Sequence, residues 1–271
     1  MPSLFTPSKT FSLPTLLLLL QLFTINLRSA ADAQIGVCYG TMGDNLPSAS
    51  EVVSLYISNN INRMRIYHPN QDALNALRSS SIELILGVAN PDLQGLATSA
   101  DNAIQWVQTN VLNYWPSVKI KYIAVGNEVS PVGGSSQYTQ YVLPAIQNIY
   151  QAIRAQSLRD QIKYGMVNTD TRICLMQCWI RFMLQLVMWR FVVSESGWPS
   201  DGGFAATYDN ADTYLDNLIL RAKSGSPRRP SKSTEIYIFA MFDENQKSPE
   251  IEKHFGLFFP NKQEKYPFGF S

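Results

Sequence analysis

The stretch Val192-Val193-Ser194-Glu195-Ser196-Gly197-Trp198-Pro199-Ser200 decides the fold of this chain. Two β-branched residues lead into the carboxylate of Glu195, and glycine, tryptophan and proline break the chain immediately after it. A short apolar run bounded by such turn residues is typical of a buried parallel strand. Functional side chains of parallel barrels lie at the C-terminal ends of the strands. The stretch therefore predicts a strand that delivers Glu195 to the mouth of a barrel.

A second stretch with the same layout lies upstream, at Tyr122-Ile123-Ala124-Val125-Gly126-Asn127-Glu128. Its apolar run again ends in a glutamate, and Pro131 and Gly133-Gly134 break the chain beyond it. A lone glutamate at a strand end commonly forms a salt bridge or caps a helix. Two of them on one face of a barrel are the groups that hydrolyse a glycosidic bond.

These two motifs and a third, Phe239-Ala240-Met241-Phe242-Asp243-Glu244-Asn245-Gln246-Lys247, resemble those of glycoside hydrolase family 17, the plant β-1,3-glucanases. The resemblance covers residues 35 to about 162 and 192–270. It implies a (β/α)8 barrel that is an endo-hydrolase of β-1,3-glucan. The reaction would retain the configuration of the anomeric carbon and need neither a cofactor nor a metal. It also implies that Glu128 is the acid/base and Glu195 the nucleophile. Callose and fungal wall glucan are the implied substrates, which gives a role in plant defence.

Strand-like and helix-like stretches alternate along the chain, which predicts a parallel sheet with crossover helices. Helices are expected from the capping box at Ser48 to Tyr56, from Gln71, and over residues 100–114 and 138–154. The expected strands are seven: residues 35–40, 63–67, 82–88, 121–128, 162–167, the strand that ends at Glu195, and 235–242. A closed barrel of this type has eight strands. The predicted fold is therefore an α/β TIM barrel that lacks about one strand and its flanking helices between residues 165 and 191.

Residues 173–193 form the segment that departs from the family pattern. Large apolar side chains fill it, with only Gln177, Arg181, Gln185 and Arg190 as polar breaks. Two arginines argue against a transmembrane span, and a buried helix would lack a clear polar face. A one-base shift of suitably chosen codons yields apolar residues at i, i+3, i+4 and i+7, as in the family helix before its seventh strand. We favour this third interpretation, a shifted reading frame.

Residues 1–33 predict a secretory signal peptide. Lys9 supplies the positive charge, Leu13 to Phe23 the apolar core, and Ala31-Asp32-Ala33 the cleavage site. The apolar core is too short to span a bilayer. Cleavage leaves one catalytic barrel domain, residues 34–271, which we expect to be secreted to the cell wall and apoplast.

The charge balance and the scarce metal-ligand residues exclude several other classes. A net charge of +1 argues against a nucleic-acid partner and against a polybasic membrane anchor. His68 and His254 are isolated and predict no metal site. The three cysteines cannot form a disulfide framework, and Cys38 is expected in the core. We expect a monomer whose partner is β-1,3-glucan.

The resemblance assigns further residues to substrate binding. Asn127 would hydrogen-bond the hydroxyl next to the reacting carbon, with a turn cap as an equal alternative. Glu244, Lys247 and Glu252 match charged positions of the family cleft, where they would hold the acid/base and shift its pKa. The alternative for these three is a solvated loop. Four aromatic residues are candidates for stacking on glucose rings: Tyr39, Tyr67, Trp198 and Phe242. Aromatic side chains of a barrel more commonly pack in the core, which is the alternative for these four.

Two alternatives to an active enzyme stay open. One is a binding protein that keeps the glucan cleft but catalyses nothing. The other is a catalytically impaired remnant of a truncated or frameshifted gene. Loss of a strand opens a barrel and leaves two unpaired sheet edges, which is a serious defect.

Overall fold

A computed structural model of the chain describes residues 34–167, 192–227, 229–230 and 232–269. Seven parallel strands form one sheet in that part of the chain, as the sequence predicts. In chain order they are β1 Ile35–Cys38, β2 Arg63–Ile66, β3 Glu83–Val88, β4 Lys119–Asn127, β5 Lys163–Val167, β6 Val192–Ser196 and β7 Glu235–Ile238. The predicted signal peptide and residues 173–191 of the irregular segment lie outside the described residues.

The strand order across the sheet is β5-β4-β3-β2-β1-β7-β6, and all neighbours run parallel. This is the order of a (β/α)8 barrel in which the first strand pairs with the last. Strands β5 and β6 follow each other in the chain, yet they lie at the two ends of the sheet. The prediction of an incomplete barrel is therefore confirmed.

Six α-helices flank the sheet in the described residues. They are α1 Ala49–Ser58, α2 Gln71–Ala76, α3 Leu93–Thr98, α4 Ala100–Val107, α5 Thr139–Ala155 and α6 Tyr208–Ser224. At the start of α1 the N–H of Ser48 donates to the carboxylate of Glu51 over 3.0 Å, as the predicted capping box requires. None of the described helices has the length and apolar character needed to cross a membrane.

The α6 helix was not predicted, although its start signal is present in the sequence. The hydroxyl of Thr207 accepts a hydrogen bond from the N–H of Asn210 over 3.2 Å, which is an N-cap. The predicted helix 100–114 is also shorter than expected, because α4 passes into a π-helical turn at Gln108–Leu112.

Two apolar cores stabilise the fold, one on each side of the sheet. The larger core lies between the sheet and the helices, where Met64 and Ile66 of β2 are buried. The smaller core lies inside the curl and consists of Cys38, Ile85, Ala124 and Tyr237. Alternate residues of a strand point to opposite faces, so Arg63 and Arg65 face the inside of the barrel.

Polar side chains fill the inside of the curl at the N-terminal end of the strands. The carboxylate of Glu235, on β7, accepts hydrogen bonds from Tyr122 over 2.9 Å and from Tyr237 over 3.1 Å. Lys121 Nζ lies 3.3 Å from Glu235 Oε1 and 2.7 Å from Glu83 Oε2. We call these five residues the inner polar cluster. It joins β4 to β7, which are not neighbours in the sheet.

Candidate active site

A cleft of about 620 Å³ opens at the C-terminal ends of the strands, a size typical of a ligand site. Strand ends and the loops after β1, β2 and β7 contribute its walls. Eight of the ten candidate residues line it together: Tyr39, Tyr67, Asn127, Glu128, Glu195, Glu244, Lys247 and Glu252. The two strand-end glutamates therefore share one cleft at the same end of the sheet.

Glu195 is held by two donors from β2 and the residue after it. Its Oε2 accepts from Nη1 of Arg65 over 2.7 Å and from the hydroxyl of Tyr67 over 2.9 Å. The guanidinium of Arg65 is almost fully buried, and its carbon lies 4.4 Å from the centre of the Tyr67 ring. Two strong donors on one oxygen fix the orientation of the carboxylate, as a nucleophile requires.

Glu128 has a different environment. Its backbone has a φ of +49°, in the left-handed region that non-glycine residues rarely adopt. The side chain is exposed to the cleft, yet the pKa of its carboxyl is raised, first by partial burial between the cleft walls and then by the negative charge of Glu195. The positive charges of Arg65 and Lys247 oppose this shift. A carboxyl group whose pKa is raised is suited to act as a general acid.

Two asparagines fix the backbone beside Glu128. The N–H of Asn127 donates to Oδ1 of Asn90 over 2.8 Å, and Nδ2 of Asn90 donates to the carbonyl of Asn127 over 2.8 Å. The side-chain oxygen of Asn127 in turn accepts from Nη2 of Arg65. These bonds hold the end of β4 and thereby the unusual backbone conformation of Glu128.

The charged residues after β7 form part of the cleft wall. Glu244 is 2% exposed and accepts from the N–H of Met42 over 2.6 Å. Lys247 Nζ lies 3.1 Å from Glu244 Oε2 and 4.1 Å from the centre of the Phe239 ring. The charge of Lys247 lowers the pKa of Glu128 and that of Glu252 raises it. Lys247 and Glu252 thus act on the acid/base candidate, and Glu244, which pairs with Lys247, is too deeply buried for a solvated loop.

Two aromatic candidates lie outside the lining of the cleft. Phe242 is 2% exposed and its ring lies 6.4 Å from that of Phe258, so it belongs to the core. Trp198 is partly exposed, and its Nε1 donates to the carbonyl of Ala205 over 3.0 Å. Tyr39 lines the cleft but is almost buried. The structure therefore leaves Tyr67 as the aromatic candidate closest to the two carboxylates.

Sequence reasoning missed Arg65 and Asn90. Arg65 carried a usable signal, because Arg63 and Arg65 occupy one face of an otherwise apolar strand and must face the barrel interior. Asn90 carried no usable signal, since an asparagine before a proline is common in turns of any kind.

Metal and thiol chemistry find no support in the side chains that the structure describes. Among these residues, no group of three or more His, Cys, Asp or Glu side chains could hold a metal ion. The thiol of Cys38 lies inside the curl and donates to the carbonyl of Ser194 over 3.5 Å. Burial raises the pKa of this thiol to about 12, so it stays neutral.

Comparison with known proteins adds an independent line of support. The sequence profile of "Glycosyl hydrolases family 17" matches residues 35–174 and 187–270. The chain is 56% identical over 315 positions to the "Glucan endo-1,3-beta-glucosidase, basic isoform" of Phaseolus vulgaris, covering 88% of this chain and 90% of the relative. It is 52% identical over 348 positions to a "Glucan endo-1,3-beta-glucosidase" of Pisum sativum, covering 100% of this chain and 94% of the relative.

Among solved structures, the chain is similar to "CJP38, a beta-1,3-glucanase and allergen of Cryptomeria japonica pollen". The TM-score is 0.78 and the identity 36%, over 88% of this chain and 99% of the other. A second solved chain, described under "The three-dimensional structures of two plant beta-glucan endohydrolases with distinct substrate specificities", also matches. Its TM-score is 0.72 and its identity 32%, over 86% of this chain and 99% of the other.

The alignments also show that positions of a relative are missing from this chain. The alignment with the Pisum sativum protein runs over 348 positions although this chain has 271 residues, so about 77 positions hold no residue of this chain. The family match breaks between residues 174 and 187, on the path from β5 to β6. The break therefore coincides with the opening of the sheet. With the family profile matched on both sides of that break, the chain belongs to family 17 of the glycosyl hydrolases.

Proposed function

We propose that this protein is a secreted, retaining endo-hydrolase of β-1,3-glucan that acts on callose and fungal wall glucan in plant defence. Glu128 is its acid/base and Glu195 its nucleophile, and it uses no cofactor or metal. The observation that carries the proposal is the pair of glutamates in one cleft, one held by Arg65 and one with a raised pKa. The relatives named as glucan endo-1,3-beta-glucosidases support the choice of substrate.

The electrostatics of the pair fit the two steps of a retaining reaction. In the first step Glu195 attacks the anomeric carbon while Glu128 protonates the leaving oxygen. Formation of the glycosyl ester removes the negative charge of Glu195, which is one cause of the raised pKa of Glu128. The pKa of Glu128 then falls, so it becomes a base that takes the proton of the attacking water. Arg65 and Tyr67 stabilise the Glu195 carboxylate again when it is released.

The decisive experiment removes each carboxylate in turn. Glu195→Ala and Glu128→Ala are each expected to lower the release of reducing ends from laminarin by about 10³-fold or more, because neither step proceeds without both groups. Azide should restore turnover of Glu195→Ala and give a glycosyl azide of inverted configuration. Glu264→Ala, at an exposed glutamate outside the cleft, is the control and should act as the parent does. Near-normal activity of either catalytic variant would refute the assigned roles.

A second candidate function is a glucan-binding remnant with little or no catalysis. It is favoured by the open sheet and by the roughly 77 missing alignment positions. Glu195 lies on β6, which is at one end of the sheet that the described residues form, and a displacement of about 1 Å can lower a rate about a hundredfold. Exposed sheet edges also promote aggregation.

The two candidates separate in one comparison. Unaltered residues 34–271 are purified, and reducing ends from laminarin are measured beside the full-length Pisum sativum relative. If the purified protein is a monomer and its turnover rate is within about tenfold of that of the relative, the interpretation as a glucan-binding remnant is excluded. Binding of laminaritriose without turnover would identify it. For an inactive chain, the catalytic variants are tested after the missing segment is restored from that relative.

A further inference from the structure

The loop after β6 and the start of α6 present a group of exposed aromatic side chains. Phe204 is fully exposed, at 102%, and Tyr208 and Trp198 are 45% and 39% exposed. The described residues contain one other large aromatic side chain of this exposure, Phe259. Isolated apolar side chains on a surface are ordinary, but three exposed aromatic side chains within eleven residues of one loop and helix start indicate a candidate interaction site. We call Trp198, Phe204 and Tyr208 the aromatic patch.

Hydrogen bonds and ring contacts hold the patch in place. The carbonyl of Ala205, next to Phe204, accepts from Nε1 of Trp198 over 3.0 Å and from Nδ2 of Asn210 over 2.9 Å. The ring of Tyr208 packs on that of Tyr266 with 5.0 Å between centroids. Phe204 itself remains fully exposed, so its ring contributes almost no burial to the stability of the fold.

The aromatic patch continues the wall of the cleft. Gly197, which lines the cleft, directly precedes Trp198. Further along the loop, both the N–H and the hydroxyl of Ser200 donate to the carbonyl of His254, over 3.0 and 3.1 Å. The neighbours of His254 at Glu252 and Phe255 line the cleft. The loop is therefore bonded to the segment that forms this wall.

The charges around the patch favour a neutral ligand. Residues 198–213 contain Asp201, Asp209 and Asp212 but no lysine or arginine. This segment therefore supplies no positive charge that would attract nucleic acid, anionic lipid or acidic polymers. Aromatic rings offer large apolar faces, and sugar rings have matching apolar faces. The patch thus suits an uncharged polysaccharide.

We propose that the aromatic patch binds glucosyl units of a β-1,3-glucan chain where that chain leaves the cleft, with Phe204 as the principal contact. The patch then gives a preference for polymeric glucan over short oligosaccharides. This inference rests on the proposed function, because the cleft must hold the same chain.

The test compares one long and one short ligand. Laminarin and laminaritriose are titrated by calorimetry into Glu195→Gln, a background in which the ligand is not consumed. Phe204→Ala in that background should weaken laminarin binding about fivefold, the size of a lost aromatic contact, with laminaritriose binding within about twofold of the parent. Phe204→Trp should bind laminarin as the parent does. Leu220→Ala, at an exposed apolar residue near the far end of α6, is the matched control and should change neither affinity.

Each other outcome has a definite meaning. Laminarin affinity of Phe204→Ala equal to that of the parent would overturn the inference and leave the proposed function intact. Equal weakening of both ligands would also overturn it, since it would show collapse of the loop. Failure of the parent to bind laminaritriose would refute the proposed function and the inference with it. A change from dimer to monomer in Phe204→Ala, with laminarin affinity unchanged, would show that the patch binds a second copy instead.

Discussion

The guanidinium of Arg65 lies 2.7 Å from the carboxylate of Glu195 and so joins the middle of the sheet to its edge. The contact crosses the inside of the curl from β2 to β6. The same guanidinium donates to Asn127, the residue before Glu128. One buried side chain therefore sets the positions of both catalytic candidates relative to each other, although the two strands that carry them are far apart in the sheet.

Arg65→Met tests this relationship through stability. The substitution leaves Glu195 without its cation, and removal of one partner of a buried pair is strongly destabilising. We expect the free energy of unfolding to fall by about 2–3 kcal/mol, less than for a fully buried pair because Glu195 keeps some contact with water. Urea unfolding of residues 34–271 measures it. Arg154→Met, at an exposed position on α5, should change the same quantity by less than about 0.5 kcal/mol.

The coupling between the two glutamates predicts a shift in titration. The negative charge of Glu195 contributes to the raised pKa of Glu128, so Glu195→Gln should lower that pKa. Carboxyl NMR titration of Glu128 measures the change. Glu250→Gln, at an exposed residue that pairs with Lys253, should leave the Glu128 titration unchanged. An unchanged Glu128 titration in Glu195→Gln would contradict the shared cleft.

The raised pKa of Glu128 also predicts how stability depends on pH. Its folded pKa lies above the ordinary value of 4.5, so the folded state binds more protons than the unfolded state between the two values. The stabilising contribution of Glu128 is therefore present at low pH and is lost as the pH rises through its folded pKa. Glutamine does not titrate, so Glu128→Gln removes this loss of stability at higher pH. Thermal unfolding should show the variant gaining stability over the parent as the pH rises above the ordinary value of 4.5, and no gain would contradict the raised pKa.

Gly40→Ala tests the packing behind Glu244. A Cβ atom on Gly40 would lie 2.4–2.6 Å from the carboxylate atoms of Glu244, so that side chain must move. Its bonds to the N–H of Met42 and to Lys247 would be lost with it. We expect the free energy of unfolding to fall by about 1–3 kcal/mol, as at other overpacked sites. Gly134→Ala is the control, since nothing lies within 4 Å of the added atom.

The fold was largely predictable because strand-end chemistry and alternation are local signals. The seven strands, α1 and α5 lie within a few residues of their predicted positions. The last strand is shorter than the predicted 235–242, because β7 ends at Ile238. Beyond that point the backbone bonds to other segments, for example from the N–H of Ala240 to the carbonyl of Phe255. Such contacts depend on residues distant in sequence and leave no local pattern.

The residues of the candidate site that lie at strand ends were predictable. Those whose position depends on the packing of distant segments were less so. Glu128 and Glu195 line the cleft because parallel strands end at one edge. Phe242 lies past the end of β7, so the alternation of side chains along the strand could not predict whether its ring faces the cleft or the core. The part played by Arg65 depends on which strands face each other across the inside of the curled sheet, and that is a property of the whole fold.

The inner polar cluster has a consequence for local unfolding. Its side chains maintain the curl from within, since β5 and β6 do not pair with each other in the described part of the chain. Edge strands open by small fluctuations, whereas central strands open only with the whole domain. Amide hydrogens of β1 and β2 should therefore exchange slowly with solvent and those of β6 much faster. In mild denaturant the strand that carries Glu195 would then detach while the remaining sheet stays folded.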